Sequence, residues 1–416
     1  MTRSASRRRG TAFLMCAMGF ACGLGLAPAP AVAQGDASGQ GPEASVARYR
    51  VLVEADASAR DTLAEAGFDV AGHQLDADRV EVVTGEAGLA ALERMGLSHR
   101  VVDVRERPLP LGADDQMDGP LPDTDYHDPA EVQTILEQTA EDHPEITRLV
   151  SIGVSRQGRD IWGLMISDNA DTDEDELAIL FNAAHHAREV MTPEVVLDTI
   201  EQLTDRYGVD PDITGWVDRY QIWCVPVVNP DGVARVHEVD DYWRKNVRDN
   251  DENGVIDGSD GVDLNRNYEW GWGDQCRGSS DWFQSATYRG PSEASEPETQ
   301  AMVQLGRKIR PVFDVEYHSY GEDVFYALSC DPMFSPRLTT IPQTDQTIGR
   351  VVAEEYASRI VQADGDPGYS PAPYGSRVDG TGRDQQYHEN GAIAFVTEIN
   401  SYSEGGFHPD YQTWRD

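Results

Sequence analysis

The stretch "FNAAHHAREVM", residues 181–191, places two histidines and a glutamate close together at the end of an apolar run. His186 and Glu189 stand in H-x-x-E spacing, so a single turn can present both side chains to one metal ion. A catalytic zinc site uses three protein ligands and leaves one position open. His318, at the end of the apolar run in "VEYHSYG", is the best candidate for the third ligand. The pattern predicts a zinc site, although an isolated H-x-x-E is common and His185 is more typical of a structural or neighbouring residue.

A second candidate metal site lies in "DNDENGVIDGSD", residues 249–260, where side chains with oxygen ligands recur at short intervals. Their spacing matches the ligand positions of a calcium loop, and Gly254 stands where such loops require glycine. An aspartate replaces the usual final glutamate and no helical pattern clearly flanks the segment, so a solvated acidic loop is the alternative. The predicted calcium ligands are Asp249, Asp251, Asn253, the Val255 carbonyl, Asp257 and Asp260.

The elements that must position the first site are apolar runs separated by helical patterns within residues 125–416. "LAILFNAA", "QIWCVPVV" and "PVFDVEYHS" are apolar runs of strand length, whereas "TPEVVLDTIEQLTDRYG" and "SEPETQAMVQLGRKI" have helical patterns. Apolar strands separated by helices predict an α/β fold with a mainly parallel mixed sheet and helices on both faces. Ligand sites in such folds gather at the carboxyl ends of strands, which is where His186 and His318 fall.

Residues 34–104 alternate strand-like and helical segments in two βαβ-like halves, which predicts a small α+β sandwich. Residues 105–124 are rich in Pro, Gly and Asp without periodicity, and we interpret them as a linker. Residues 1–33 combine four arginines, an apolar run and the small-residue stretch "APAVA", a pattern typical of a secretory signal cut after Ala33. A membrane anchor is the weaker alternative because the apolar run is short. We therefore expect a secreted protein, extracellular or periplasmic.

The chain contains 73 Asp and Glu against 34 Lys and Arg, a formal charge of -39 at pH 7. Such a charge disfavours binding to nucleic acid and to anionic membranes, so we expect neither partner. We also expect a monomer. Three cysteines follow the predicted cleavage point. Cys224 lies in an apolar run and is predicted to be a buried free thiol, whereas Cys276 and Cys330 fall in loop-like sequence and are predicted to form a disulfide.

Further motifs accompany the two histidine-containing stretches. "VVNPDG", "WRKN" and "GVDLNRNYEWGWG" lie between them, and "AFVTEIN" comes near the end of the chain. In this order, over about residues 125–416, the motifs closely resemble the zinc metallocarboxypeptidases of the carboxypeptidase A type. The N-terminal sandwich resembles the inhibitory propeptide of that family in topology only. The chain stops soon after "AFVTEIN", whereas family members usually continue into a final helix. By this resemblance, either the sequence is truncated or the domain lacks that helix.

The resemblance implies roles for individual residues around the metal. His186, Glu189 and His318 match the zinc ligands. Asp263 matches the acid that accepts a hydrogen bond from the first of these histidines, which fixes the tautomer and orientation of the ring. Glu398 matches the catalytic glutamate, a general base that takes a proton from the attacking water and passes it to the leaving amine.

The resemblance also implies how substrate is held. Arg244 matches the arginine that polarises the scissile carbonyl and stabilises the oxyanion. Arg383 stands where the family sets its side-chain preference, and charge complementarity there predicts a preference for C-terminal Glu or Asp. The residues that match substrate-binding positions are Arg188, Asn265, Arg266, Tyr374 and Arg383.

The function implied by the resemblance is that of a secreted zinc carboxypeptidase, made as a zymogen and released by an activating protease. It would hydrolyse the C-terminal bond of peptides or proteins by a zinc-activated water, with Glu398 as general base, and Ca²⁺ is a second candidate ion. One alternative is a related zinc amidase that acts on cell-wall peptides or acyl-amino acids, but the set Asn265, Arg266 and Tyr374 favours peptides. The other is a non-catalytic secreted calcium-binding module, which the presence of Glu398 and all three ligands disfavours.

Overall fold

The computed structural model describes residues 44–55, 59, 62–63, 66–71, 79–109, 125–172, 174–273, 278–327, 342–361, 368–372 and 378–415. The predicted signal peptide, most of the predicted linker, Tyr374 and the predicted pair Cys276 and Cys330 lie outside these residues. Cys224 is a buried free thiol, as predicted. No helix in the described ranges is long and apolar enough to cross a membrane.

Residues 44–109, here called the N-terminal subdomain, form a four-stranded antiparallel sheet with a helix. Its elements are β1 (Ala44–Glu54), β2 (Asp69–Ala71), β3 (Arg79–Thr84), α1 (Glu86–Arg94) and β4 (His99–Leu109). The strand order is β2-β3-β1-β4. Val51 and Val53 of β1 share one face because side chains of a strand repeat every two residues. They pack with Val82 of β3 and Leu92 of α1 in a small core.

β4 is longer than the sequence pattern predicted. Residues 105–109, interpreted above as the start of the linker, continue this strand and pair with Ala44–Arg48 of β1. The pairing provides partners for the backbone hydrogen-bonding groups of both segments. Because that partner is distant in sequence, the local composition, which includes Pro108, does not reveal the strand.

Residues 125–415 form the large domain, which is built on an eight-stranded mixed sheet within the described residues. Its strands are β5 (Thr147–Val154), β6 (Asp160–Ile166), β7 (Leu177–Ala183), β8 (Tyr220–Val225), β9 (Phe313–Ser319), β10 (Asp323–Tyr326), β11 (Ser370–Ala372) and β12 (Ile393–Ile399). The order is β11-β10-β12-β9-β7-β8-β6-β5. The central run β12-β9-β7-β8 is parallel, and β5, β6 and β10 pair antiparallel. This confirms the predicted mainly parallel mixed sheet.

Helices cover both faces of the sheet. They are α2 (Pro129–Asp142), α3 (Met191–Asp205), α4 (Pro211–Val217), α5 (Pro230–Glu238), α6 (Pro297–Ile309), α7 (Gln343–Ala357), α8 (Gly382–Gln385) and α9 (Tyr411–Arg415). Ile200 of α3 and Val233 of α5 belong to the core on one face, and Met302 of α6 to the core on the other. The short helix α9 places Tyr411 against Tyr126, with the two rings edge to face at 5.0 Å.

Three neighbouring parallel strands, β7, β9 and β12, end at the same edge of the sheet. His185 and His186 follow β7, His318 lies near the end of β9, and Glu398 lies near the end of β12. His318 and Glu398 are directly paired in register. The sheet therefore brings together residues that are about 80 to 210 positions apart in sequence, at the edge where such folds place their ligands.

Candidate active site

His186, Glu189 and His318 bring three metal-binding groups together in the interior. The Nδ1 atoms of the two histidines are 3.0 Å apart, and each lies within 2.9 Å of an oxygen of Glu189. All three residues are buried. Two imidazole nitrogens and a carboxylate that converge in this way are the donor set of a catalytic zinc site, whose bonds of about 2.0–2.2 Å hold donors at such separations. The described residues therefore fit a zinc ion.

Local structure holds this cluster at the end of β7. Ala184 adopts a left-handed conformation with φ of 54°, which turns the chain as it leaves the strand. Two residues after Glu189 the helix α3 begins, and Thr192 in its first turn donates a hydrogen bond to the Glu189 carbonyl. The H-x-x-E segment is thus fixed between a buried strand and a buried helix end.

Asp263 connects the metal-binding cluster to Arg244. One carboxylate oxygen of Asp263 lies 3.2 Å from His186 Nε2, and the other accepts hydrogen bonds from Arg244 at 2.8 and 3.2 Å. Burial would raise the pKa of Asp263, but the charges of Arg244, Arg266 and His186 outweigh this and hold the pKa well below its ordinary value. An ionised Asp263 can therefore orient the ring of His186 and the guanidinium of Arg244 together.

The three metal-binding residues and Arg244 share one cavity of about 100 Å³. Glu398 is half-buried and lies in this cavity with the three metal-binding residues. The polar and charged residues of the large domain that line the cavity include His186, Arg188, Glu189, Arg244, Asn265, Arg266, His318, Ser319, Arg383 and Glu398. The cavity combines a site for a cation, a carboxylate and several guanidinium groups, which is an arrangement suited to hydrolysis of a substrate that carries negative charge.

The predicted substrate-binding residues that the structure describes all reach this cavity. Asn265 accepts a hydrogen bond from the Gly382 amide, and its side-chain nitrogen lies 3.0 Å from His318 Nε2. Arg266 donates to the Gly278 carbonyl at 2.8 Å. Arg383 is buried at the start of α8, with Nε 3.5 Å from the Asp384 carboxylate. Tyr374 lies outside the described residues.

A family model described as zinc carboxypeptidase (Peptidase_M14) matches residues 132–413. The chain belongs to the zinc carboxypeptidase family. It is 38% identical to a zinc carboxypeptidase of Saccharothrix mutabilis subsp. capreolus over 247 residues, which are 56% of this chain and 55% of the relative. It is 27% identical to zinc carboxypeptidase A 1 of Anopheles gambiae over 263 residues, 63% of this chain and 58% of the relative. The chain thus spans little more than half the length of these curated relatives.

The fold of this zinc carboxypeptidase family member is shared with a solved structure. The crystal structure of carboxypeptidase A from Helicoverpa armigera superposes with a TM-score of 0.67 at 21% identity, over 88% of this chain and 95% of that chain. The description of the family as zinc carboxypeptidase agrees with the donor set at the carboxyl edge of the sheet, which fits a zinc ion.

In this family member the N-terminal subdomain reaches the active-site cavity through residues that the sequence did not identify. Asp69 of β2 accepts hydrogen bonds from both terminal nitrogens of Arg188, one of them 2.8 Å long. Burial would raise the pKa of Asp69, but Arg188 outweighs this and lowers it. Val70 and Ala71, the next residues of β2, line the cavity itself. No local pattern around Asp69 indicates this role, because it depends on how the two domains pack.

Sequence reasoning also missed Glu316, which is buried beside the metal-binding cluster. Its Oε1 lies 2.9 Å from His318 Nε2 and 3.2 Å from His185 Nδ1. Burial would raise the pKa of Glu316, but His185, His318 and Arg383 outweigh this and lower it to about 2. A signal was present: Glu316 stands two residues before His318 in the apolar strand "FDVEYHS", on the same strand face.

The predicted calcium loop brings together only part of its predicted ligand set. Carboxylate oxygens of Asp249, Asp251 and Asp260 lie within 4.8 Å of one another. Asp257 is not part of this group, and its carboxylate accepts hydrogen bonds from Ser259 instead. Asn253 donates to the Asp251 carboxylate, and Val255 is exposed. The loop thus has three converging carboxylates, and the wider set stays a prediction.

Proposed function

We propose that this protein is a zinc-dependent carboxypeptidase that hydrolyses the C-terminal peptide bond of peptides or proteins. The observation that carries the proposal is the presence, in one cavity, of the His186, Glu189 and His318 cluster together with Glu398 and Arg244. A zinc ion held by the three ligands would supply a Lewis acid that makes water more acidic and polarises a carbonyl. The remaining steps belong to residues of the chain.

Glu398 is the proposed general base. It lies in register beside His318, so its carboxylate can take a proton from the water that attacks the scissile carbonyl. The same carboxylate then delivers that proton to the leaving amine. Arg244 is the proposed partner of the developing oxyanion, and its guanidinium is held in place by two hydrogen bonds to Asp263.

Asn265 and Arg266 are the proposed ligands of the substrate's terminal carboxylate. A guanidinium and an amide side by side provide several donors to a planar anion, and Arg can bind a carboxylate with two parallel hydrogen bonds. Arg383, at the start of α8, lines the same cavity and is buried. A buried cation there favours C-terminal Glu or Asp, and we propose this preference for the enzyme.

We further propose that the enzyme is made as a zymogen in which the N-terminal subdomain blocks the cavity. Asp69 forms an ion pair with Arg188. Ala71 and Val83 pack with Tyr320 and Phe407 of the large domain. A substrate must displace these contacts to reach Glu398. Cleavage by an activating protease in the linker between the domains would let the N-terminal subdomain dissociate.

Secretion as a monomer is proposed on sequence grounds. The arrangement of basic, apolar and small residues in 1–33 supports export, and the strongly acidic composition of the chain supports a protein that binds neither nucleic acid nor anionic membranes. A calcium ion in the 249–260 loop is also proposed, on the converging oxygens of Asp249, Asp251 and Asp260. It would stiffen the segment between Arg244 and Asp263.

The test uses blocked dipeptides that end in Glu, Phe or Lys, with and without a zinc chelator. They are assayed with the full chain before and after limited proteolysis that removes the N-terminal subdomain. We expect chelator-sensitive release of the terminal residue, fastest for Glu and strongly increased by proteolysis. Cleavage of none of the peptides would refute the enzyme, and cleavage of acyl-amino acids or amidated peptides alone would point to the amidase. A preference for Phe or Lys would refute only the role of Arg383.

A further inference from the structure

The central strand β9 carries three titratable side chains on a single buried face. Asp314, Glu316 and His318 alternate along the strand and are each about 1% exposed. His318 belongs to the metal-binding cluster, whereas Asp314 is hydrogen-bonded to Asn182 at 2.8 Å. Charged or polar groups are costly in a protein interior unless other groups satisfy them. Glu316 lies between these two residues and is not explained by the proposed reaction.

The contacts of Glu316 link it to the ring of His318 on the side opposite the metal. His318 has Nδ1 in the metal-binding cluster and Nε2 only 2.9 Å from Glu316 Oε1. An imidazole that binds a metal through Nδ1 carries its proton on Nε2. Two groups lie near this nitrogen, the Asn265 side-chain nitrogen at 3.0 Å and Glu316 Oε1, and of these the carboxylate oxygen is the one that can accept the proton. The same carboxylate oxygen lies 3.2 Å from His185 Nδ1, whose other nitrogen contacts the Tyr268 hydroxyl at 2.7 Å.

The carboxylate of Glu316 has little freedom to move. A Cβ placed on Gly382 would come within 2.9 Å of Glu316 Oε2, so the backbone at the start of α8 packs directly against this oxygen. His185 and Tyr268 are themselves buried. Glu316 Oε1 lies 3.2 Å from His185 Nδ1. The geometry of this contact is not that of a hydrogen bond, so His185 restricts the carboxylate by packing beside it.

We propose that Glu316 is a positioning residue that holds His318 with Nδ1 toward the zinc ion, and that the buried His185 packs against Glu316 on its other side. This rests on the proposed zinc site. Carboxylates that accept a hydrogen bond from a metal-binding histidine fix its tautomer and ring orientation and make it a better ligand. His186 is held in the same way by Asp263, so each histidine of the cluster has its own buried carboxylate.

The test compares Glu316→Gln with Asp314→Asn in the full chain. Both variants replace a buried carboxyl of β9 by an amide of nearly the same shape, but only Glu316 contacts a proposed ligand. Zinc affinity is measured by competition with a chromophoric chelator, and zinc stoichiometry by metal analysis. We expect about 10- to 100-fold weaker binding for Glu316→Gln and unchanged binding for Asp314→Asn. The visible spectrum of the cobalt-substituted protein should change in Glu316→Gln alone.

The outcomes separate this proposal from the proposed function. No zinc binding by the wild type would refute the zinc site itself. One zinc per wild-type chain, with equal affinity in Glu316→Gln, would refute the role of Glu316 alone. Two ions per chain, the second lost in Glu316→Gln, would make Glu316 a ligand and overturn the positioning role. If Glu316→Gln does not fold, ¹⁵N chemical shifts of His318 in the zinc-loaded wild type decide: protonation at Nε2 supports the proposal, and its absence refutes it.

Discussion

The Asp69 carboxylate, on an edge strand of the N-terminal subdomain, forms a two-pronged ion pair with the Arg188 guanidinium beside the metal-binding cluster. Arg188 is fully buried, and its guanidinium also lies 4.2 Å from the Phe407 ring. An ion pair of this kind contributes orientation as well as attraction, because the two planar groups align. The pair therefore holds β2 against the cavity, which Val70 and Ala71 line.

Asp69→Asn should activate the full chain without proteolysis. The substitution leaves the Arg188 charge buried and uncompensated in the closed arrangement, which typically costs about 3–5 kcal/mol, whereas Arg188 becomes hydrated when the subdomain moves away. We expect kcat/KM for a peptide ending in Glu to rise at least about tenfold, since each 1.4 kcal/mol changes an equilibrium about tenfold. Asp103→Asn is the control, because Asp103 contacts Tyr242 elsewhere in the same interface. Equal activation by both variants would contradict a specific role for Asp69.

His186→Ala should abolish zinc binding, and His185→Ala should not. His186 Nδ1 belongs to the metal-binding cluster, whereas His185 Nε2 contacts Tyr268 and its Nδ1 faces Glu316. Metal analysis after dialysis against buffered zinc is the measurement. We expect one zinc per chain for His185→Ala and none for His186→Ala. If His185→Ala lost zinc and His186→Ala kept it, His185 would be the zinc ligand and His186 would not.

Glu398→Gln should lose catalysis while it keeps zinc and substrate binding. The amide has nearly the shape of the carboxylate but cannot accept a proton, and general bases contribute about 10²–10⁴-fold to rate. We expect kcat of the proteolysed enzyme to fall by that factor with little change in KM or zinc content. A fall of less than about tenfold would mean that another group serves as the base.

Arg383→Gln should remove the preference for acidic C-terminal residues. Hydrogen bonds to charged groups contribute about 1.5–3 kcal/mol, so kcat/KM for a peptide ending in Glu should fall about 10- to 100-fold relative to one ending in Phe. Arg307→Gln removes an arginine whose ion pairs with Glu269 and Glu389 lie at the surface, and it serves as the control. If the ratio of kcat/KM for the peptide ending in Glu to that for the peptide ending in Phe is unchanged in Arg383→Gln, another residue determines the specificity.

Glu298→Gln should stabilise the protein more, relative to the wild type, at pH 8 than at pH 5. Burial raises the pKa of Glu298 to about 7, so between about pH 4.5 and 7 the folded state holds a proton that the unfolded state has lost. The contribution of Glu298 to stability is therefore present at low pH and lost as the pH rises through 7. Urea unfolding should give a free-energy difference between variant and wild type that grows between pH 5 and 8, by at most about 3 kcal/mol. A constant difference would contradict the raised pKa.

Local sequence determined much of this protein. Apolar runs and helical periodicity depend on neighbours in the chain, so they predicted the mixed sheet with helices on both faces and the burial of Cys224. H-x-x-E spacing likewise needs only one turn, which is why His186 and Glu189 were identifiable together. His318 was identifiable because it stands at the end of a strand whose direction the pattern implied.

Tertiary structure decided what those motifs contact. Sheet order placed β12 beside β9, and so Glu398 beside His318. The packing of the two domains decided that Asp69 binds Arg188, and pairing with β1 extended β4 through residues that look like a linker. Glu316 was visible as an acid in an apolar strand, but only the fold showed which ring it contacts. The physical reason is the same in each case: short-range patterns encode elements and their faces, whereas contacts between distant segments depend on how those elements pack.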